Sequence, residues 1–243
     1  MINFRSPIHL ARLAGLCYLI VIITGLFSEV FVRQALFVQG DAVATAKNII
    51  DHESLFRLGF TADMINFIVG LPCVVIFYWL FSKVNKTLAL LAVFFVTIQT
   101  AIIALNLIHQ LSPLLLLRGD AYLNVFTPEQ LAAMSVYNLK LQSLGYGIGL
   151  SFFGVYCVII GYLIYVSRLV PRLLAFLYIA AGVGYLLNSF VMFLSHGFDN
   201  PLFPYVLIPC FVGELSLTLW MLIKGVDENN VFLQSVHRSG PGF

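Results

Sequence analysis

Six times between residues 10 and 224 the chain returns to an apolar run almost free of charge, at approximately 10–36, 54–81, 87–110, 141–166, 172–195 and 202–224. A helix crossing the hydrocarbon core needs about 20 such residues. Lipid offers no partner to backbone N–H and C=O groups, so a spanning segment must bond them within itself, as an α-helix does. A β-barrel would show short alternating segments instead. The sequence therefore predicts an all-α, polytopic membrane protein with six transmembrane helices and short external helices. Composition agrees: 60% of the 243 residues are hydrophobic and 10% charged, where an ordinary soluble domain carries about a quarter of its residues as charge. The expected organisation is one six-helix domain over residues 1–225 and a short cytoplasmic tail over 226–243.

Arg and Lys distribute unevenly about these runs. Arg5, Arg12, Lys83, Lys86, Arg168, Arg172, Lys224 and Arg238 would share one side, several of them in the short turns "SKVNK" and "SRLVPR". Arg33, Lys47, Arg57, Arg118 and Lys140 would share the other, beside Asp41, Asp51, Glu53, Asp120, Glu129 and Asp199. Positive charge concentrates on the cytoplasmic side of membrane proteins, which makes both termini cytoplasmic. The apolar stretch of the N-terminus is too long for a signal peptide and lacks a small-residue cleavage site, so it reads as the first span.

The two longer loops carry helix-start signals. Asp41 can cap a short Ala-rich helix, and Thr127-Pro128 followed by Gln130 is a capping box with proline at the first helical position, feeding the fourth span. Cys17, Cys73, Cys157 and Cys210 are widely spaced inside apolar segments and read as small hydrophobes rather than metal or redox groups. The net charge of +2 is not gathered into a basic run, which speaks against a nucleic-acid partner. A loose echo between residues 11–29 and 171–189 aligns Arg12 with Arg172, Tyr18 with Tyr178 and Ser28 with Asn188, as a parallel repeat would.

Carboxyl groups inside a span are costly unless they face the protein interior, which makes them candidates for function. Glu29, Asp63 and Glu214 qualify. Asp63 lies about nine residues into the second run, roughly 14 Å deep at 1.5 Å per residue. Asn66 shares its helix side, while Gln99, Asn106 and His109 form a polar stripe on the third run. Tyr178, Tyr185, Asn188 and Ser189 make a similar patch on the fifth, ending near His196. A polar cavity open to the outside would satisfy these groups together, with Asp63 and Glu214 on its shared wall.

Arg57 has two readings, an interfacial ion pair with Glu53 four residues earlier and an inward reach toward Asp63 or an anionic ligand; the second is favoured. His109 and His196 with the acids could offer zinc ligands, but no HExxH or comparable spacing supports a metal site, and none is assigned. Pro209 and Gly213, next to Glu214, predict a bend in the sixth span. Gly147 and Ser151 supply a small-residue seam for helix packing or a homodimer.

The stretches "ARLAG" at 11–15, "ESLFRLGFTAD" at 53–63 and "SRLVPRLLAFLYIAAGVGYL" at 167–186 resemble a bacterial membrane protein family catalogued as domain of unknown function 4386. The resemblance covers about residues 8–225, with Arg12, Arg57, Asp63, Pro171, Arg172 and Tyr185 at the matching positions. It implies the six-helix fold and a multi-pass location in the bacterial cytoplasmic (inner) membrane, and it transfers no catalytic residue.

The leading functional expectation is an integral membrane protein that binds a polar or amphipathic ligand in an outward-opening cavity, as a transporter or receptor-like module. The candidates for ligand binding are Glu29, Arg57, Asp63, Asn66, Asn106, His109, Asn188, His196 and Glu214. One alternative is a membrane-embedded hydrolase using buried carboxylates, with or without zinc. Another is a structural or accessory subunit. Lipid is the expected immediate partner, and no cofactor is assigned.

Overall fold

A computed structural model of the chain describes residues 6–198 and 200–227. Arg5, Asp199, Arg238 and most of the expected tail, 228–243, lie outside the described residues. Every regular element among the described residues is helical. Helix α1 (Pro7–Leu26) widens into a π-helical segment (Phe27–Arg33) and ends in one short turn, α2 (Gln34–Leu36). There follow α3 (Ala42–Asp51), α4 (Glu53–Phe81), α5 (Lys86–Leu117), α6 (Pro128–Ser167), α7 (Arg172–Leu194) and α8 (Leu207–Ile223).

Among the described residues, 5 helices can cross a membrane by length and composition: Pro7–Leu36, Glu53–Phe81, Lys86–Leu117, Pro128–Ser167 and Arg172–Leu194. The outward faces agree, with Ile68, Val75, Leu105, Ile108, Leu173 and Phe190 all exposed. Such extended apolar surface is at home against lipid. The expected sixth run is helical only over Leu207–Ile223, 17 residues, about 26 Å at 1.5 Å per residue. Turns occupy 201–206 ahead of it. Pro209 accordingly falls in the first turn of α8 and not mid-span. There its missing N–H costs no hydrogen bond, so the cause expected for a bend beside Glu214 is absent.

The helix starts form as the local sequence dictates. Asp41 accepts the N–H of Ala44 at 2.8 Å. Thr127 and Gln130 bond reciprocally, Thr127 N–H to Gln130 Oε1 at 2.9 Å and Gln130 N–H to Thr127 Oγ1 at 3.3 Å. The capped helix runs without interruption into the fourth span, giving α6 its 40 residues.

The chain forms two compact units. One contains the described residues through Ile20, Val69–Gln99 and those from Gly147 onward. Its helices meet at small residues. A Cβ on Gly154 would lie 2.8 Å from the Gly182 carbonyl oxygen, and one on Gly147 would overlap Met192 Cε. The seam that begins at Gly147 thus packs α6 on α7. Cys73, Cys157 and Cys210 are buried and Cys17 is half-buried, all four free, and Cys210 Sγ donates to the Ala181 carbonyl at 3.2 Å. The echo's two tyrosines meet in this unit, the hydroxyls of Tyr18 and Tyr178 lying 3.2 Å apart in the core.

The other unit comprises Val21–Ile68 and Thr100–Tyr146. Its core joins Val32, Leu36, Ile49, Phe56 and Leu114. Ile49 brings in α3, and Thr45 Oγ1 and Asn48 Nδ2 tie that short helix to the carbonyls of Val38 and Leu36.

Candidate functional site

The pairing of α1 with α4 decides where charge is placed in the second unit. Asn66 Nδ2 donates to the Val21 carbonyl at 2.6 Å and to Thr24 Oγ1 at 3.3 Å. Ser28 Oγ donates to the Gly59 carbonyl at 2.6 Å, and a Cβ at Gly59 would lie 2.8 Å from Val32 Cγ1. The missing side chain at Gly59 lets the π-helical segment lie close on α4. Arg33, next to Val32, then reaches Asp63, which is one turn beyond Gly59.

Arg33 is the centre of this contact. Its Nη1 donates to Asp63 Oδ2 at 2.7 Å and its Nε to Glu29 Oε2 at 2.7 Å. Gln34 Nε2 donates to the other Glu29 oxygen at 3.2 Å, and the guanidinium lies 5.8 Å from the centre of the Tyr146 ring. The side chains of Arg33 and Asp63 are 16% and 8% exposed, whereas Glu29 is 35% exposed. Two carboxylates therefore share one guanidinium, one of them reachable from outside the cluster. The arrangement sits on a widened helical turn, a local distortion frequently found at functional positions.

Arg57, first in line for Asp63, pairs elsewhere. Its Nη2 lies 2.6 Å from Glu53 Oε1, with the two side chains 50% and 46% exposed. The interfacial reading of Arg57 describes its geometry, and Arg33 is the inward-reaching arginine. An exposed pair of this kind contributes about 0.3–0.5 kcal/mol. Arg57→Lys should accordingly leave thermal unfolding in detergent unchanged within about 0.5 kcal/mol; a loss several times larger would show that Arg57 does more than hold Glu53.

Further along the same unit, Asn106 Nδ2 donates to the Gln142 carbonyl at 2.6 Å. His109 Nδ1 lies 3.2 Å from Asn138 Oδ1, whose own amide donates to the Met134 carbonyl. The His109 ring is thus held by an amide. Gln110, one turn past Asn106, is buried with both amide atoms lacking a partner among the described residues. Buried amides left so are uncommon and call for water or a ligand. An apolar groove of about 290 Å³ lies between α4 and α5 in this unit, lined by Phe60, Met64, Phe67, Ile68, Leu107 and Ile108 among others.

The remaining candidates belong to the first unit. Asn188 accepts from Asn200 Nδ2 at 2.7 Å, and His196 is exposed in a 3₁₀ turn, His196–Phe198. Glu214 is buried, and its Oε1 has no partner among the described residues. Asp63 and Glu214 fall in different units, as do His109 and His196. Among the described residues no group of three or more His, Cys, Asp or Glu side chains is placed to hold a metal ion.

Sequence reasoning missed Arg33 and Gln110. Arg33 stands four residues after Glu29, the spacing that joined Arg57 to Glu53. Gln110 stands four after Asn106, so the polar stripe extends one residue beyond His109.

The family model described as domain of unknown function 4386 matches residues 13–225. An uncharacterized protein of Archaeoglobus fulgidus is 28% identical over 78 residues, which is 32% of this chain and 44% of that relative. The aligned stretch thus spans less than half of the relative's length. No solved structure matches the chain.

Proposed function

The chain belongs to the family of domain of unknown function 4386, and from that premise we propose that this multi-spanning membrane protein binds an amphipathic ligand bearing a cationic head. The observation that carries the reading is the shared guanidinium of Arg33. Two carboxylates against one arginine leave the Glu29–Arg33–Asp63 group with a formal charge of −1. An ammonium head would complete it, approaching through Glu29, the most exposed member of the group. The apolar groove between α4 and α5 suits the tail, since Phe60, Met64 and Phe67 bracket Asp63 along α4.

In this reading α8 is the sixth span, both termini are cytoplasmic, and the site opens outward from a prokaryotic cytoplasmic membrane. Charge supports that orientation. The short connections at 81–86 and 167–172 carry Lys83, Lys86, Arg168 and Arg172, whereas the longer ones at 37–52 and 118–127 carry Lys47 and Arg118. That is the asymmetry of the positive-inside rule.

The test is a photoreactive long-chain primary alkylamine added to right-side-out membrane vesicles. It should label residues of the α4–α5 groove saturably, and an unlabelled alkylamine should compete where an alkyl sulfate of equal length does not. Glu29→Gln should weaken labelling about tenfold, the effect expected when one charged contact is lost. Labelling that ignores this substitution, or that occurs only in inverted vesicles, would refute the site or its outward opening respectively.

A further inference from the structure

A cavity of about 540 Å³ in the first unit lies where α6 ends, α7 begins and α8 ends. Three cations line it, Arg168, Arg172 and Lys224, against one carboxylate, Asp227. Trp220 and the apolar Leu169 and Val170 complete much of its wall. It shares no residue with the Glu29–Arg33–Asp63 group.

Its backbone is built to hold these groups at the mouth. Arg168 follows the last residue of α6 with φ of 56°, a left-handed conformation that only glycine adopts without cost. Its N–H still closes the helix by donating to the Ile164 carbonyl at 3.0 Å. A position that favours glycine therefore carries a guanidinium. The α8 end is drawn to this turn by the Asp227 N–H, which donates to the Leu169 carbonyl at 3.0 Å. Arg172 is oriented by the Tyr165 ring, 4.8 Å from its guanidinium carbon to the ring centre. Arg12, nearby in the same unit, is engaged with the last carbonyl of α8, its Nη2 donating to the Ile223 oxygen at 3.2 Å.

We propose that this cavity binds a phosphate group, presented by the headgroup of an anionic phospholipid. Guanidinium groups match phosphate oxygens with paired planar donors, and lysine adds a point charge. Basic pockets between helix ends recognise lipid headgroups by this chemistry. The surroundings select lipid over a free phosphate. The cavity is at the ends of apolar spans, Trp220 is of the type that settles at the membrane interface, and Leu173 and Phe176 on the first turns of α7 are exposed for acyl chains.

The experiment uses the full chain, purified and delipidated in detergent, with three probes: dioctanoyl phosphatidylglycerol, dioctanoyl phosphatidylcholine and inorganic phosphate. Binding is read by native mass spectrometry and by thermal shift. Phosphatidylglycerol should bind wild type about tenfold more tightly than phosphatidylcholine. The decisive variant is Arg168→Gly, which removes the guanidinium and relieves the left-handed strain. It should be at least as stable as wild type without lipid and yet lose about tenfold in phosphatidylglycerol affinity, the effect of one charge-assisted bond. Lys47→Gln, an equal charge change in the other unit, should leave lipid binding unchanged. Undiminished lipid binding by Arg168→Gly, or an equal loss in Lys47→Gln, would refute the site. Inorganic phosphate that displaces the lipid and protects as well by itself would assign the cavity to a free phosphate and reject the lipid source.

Discussion

Arg33→Met should lower the thermal unfolding midpoint of the purified protein by roughly 6–12 °C. Breaking a buried ion pair by removing one partner costs about 3–5 kcal/mol, because the partner left behind stays desolvated without compensation. The lower end of that range applies here, since Glu29 is partly exposed and its carboxylate can turn to water. Asp63 cannot do so; its side chain is 8% exposed and Arg33 is its ion-pair partner. For a chain of this length about 3 kcal/mol corresponds to that shift, at roughly 2–4 °C per kcal/mol. The sign of the effect separates charge from packing. Adding Asp63→Leu to Arg33→Met removes both charges, and the double variant should recover most of the loss. Arg33→Lys should fall between wild type and methionine, because an ammonium cannot serve two carboxylates as a planar fork does. An Arg33→Met protein that melts with wild type, or a double variant worse than the single, would remove the ion pair from any account of this unit's stability.

Asp63 shows what the sequence could and could not disclose. Its cost inside an apolar helix was legible, because it follows from the residue type and the length of the run alone. Its partner was not. Arg33 is 30 residues away in the chain, and the contact depends on the Gly59 gap and on a π-helical segment that no proline or glycine marks. Interactions within one turn were recoverable: Asp41 with Ala44, Thr127 with Gln130, and Arg57 with Glu53. Each is set by helical spacing with no reference to the rest of the fold. The same spacing joins Glu29 and Arg33, a pair that a count of charge on each side of the membrane does not bring out.

Span ends were less legible than span middles. Helix α5 continues past Pro113 to Leu117, and α6 begins 13 residues before the expected fourth span because its amphipathic lead-in is itself helical. Hydropathy detects where a chain can tolerate lipid, whereas a helix stops only where its backbone bonds stop. Pro209 illustrates the converse, since its meaning changes with the position of the first turn of α8.

Gly213→Leu should abolish folding, and Gly213→Ala should destabilise by about 2 kcal/mol although alanine is the better helix former. A Cβ at this position would overlap the Leu177 carbonyl oxygen and lie 3.1 Å from Ala181 Cβ. The obstruction is the backbone of α7, which cannot turn aside as a flexible side chain can. The gain in helix propensity from glycine to alanine is about 1 kcal/mol. Forcing extra volume into a packed contact costs about 1–3 kcal/mol, more where backbones must part. Parting them would also disturb Cys210 on Ala181 and Gly184 on Cys210, one turn away along the same contact. Small residues are what allow membrane helices to approach so closely, so the loss should exceed the gain. Gly25→Ala provides the comparison, because its Cβ would lie 3.3 Å from Asn66 Nδ2, a side-chain atom able to yield. That variant should stay within about 0.5 kcal/mol of wild type, its propensity gain offsetting a strained amide bond. Unfolding in detergent measures all three. Should Gly213→Ala prove more stable than wild type by about the full propensity difference, α7 and α8 are not in backbone contact at Leu177, and the burial of the adjoining Glu214 would need another cause.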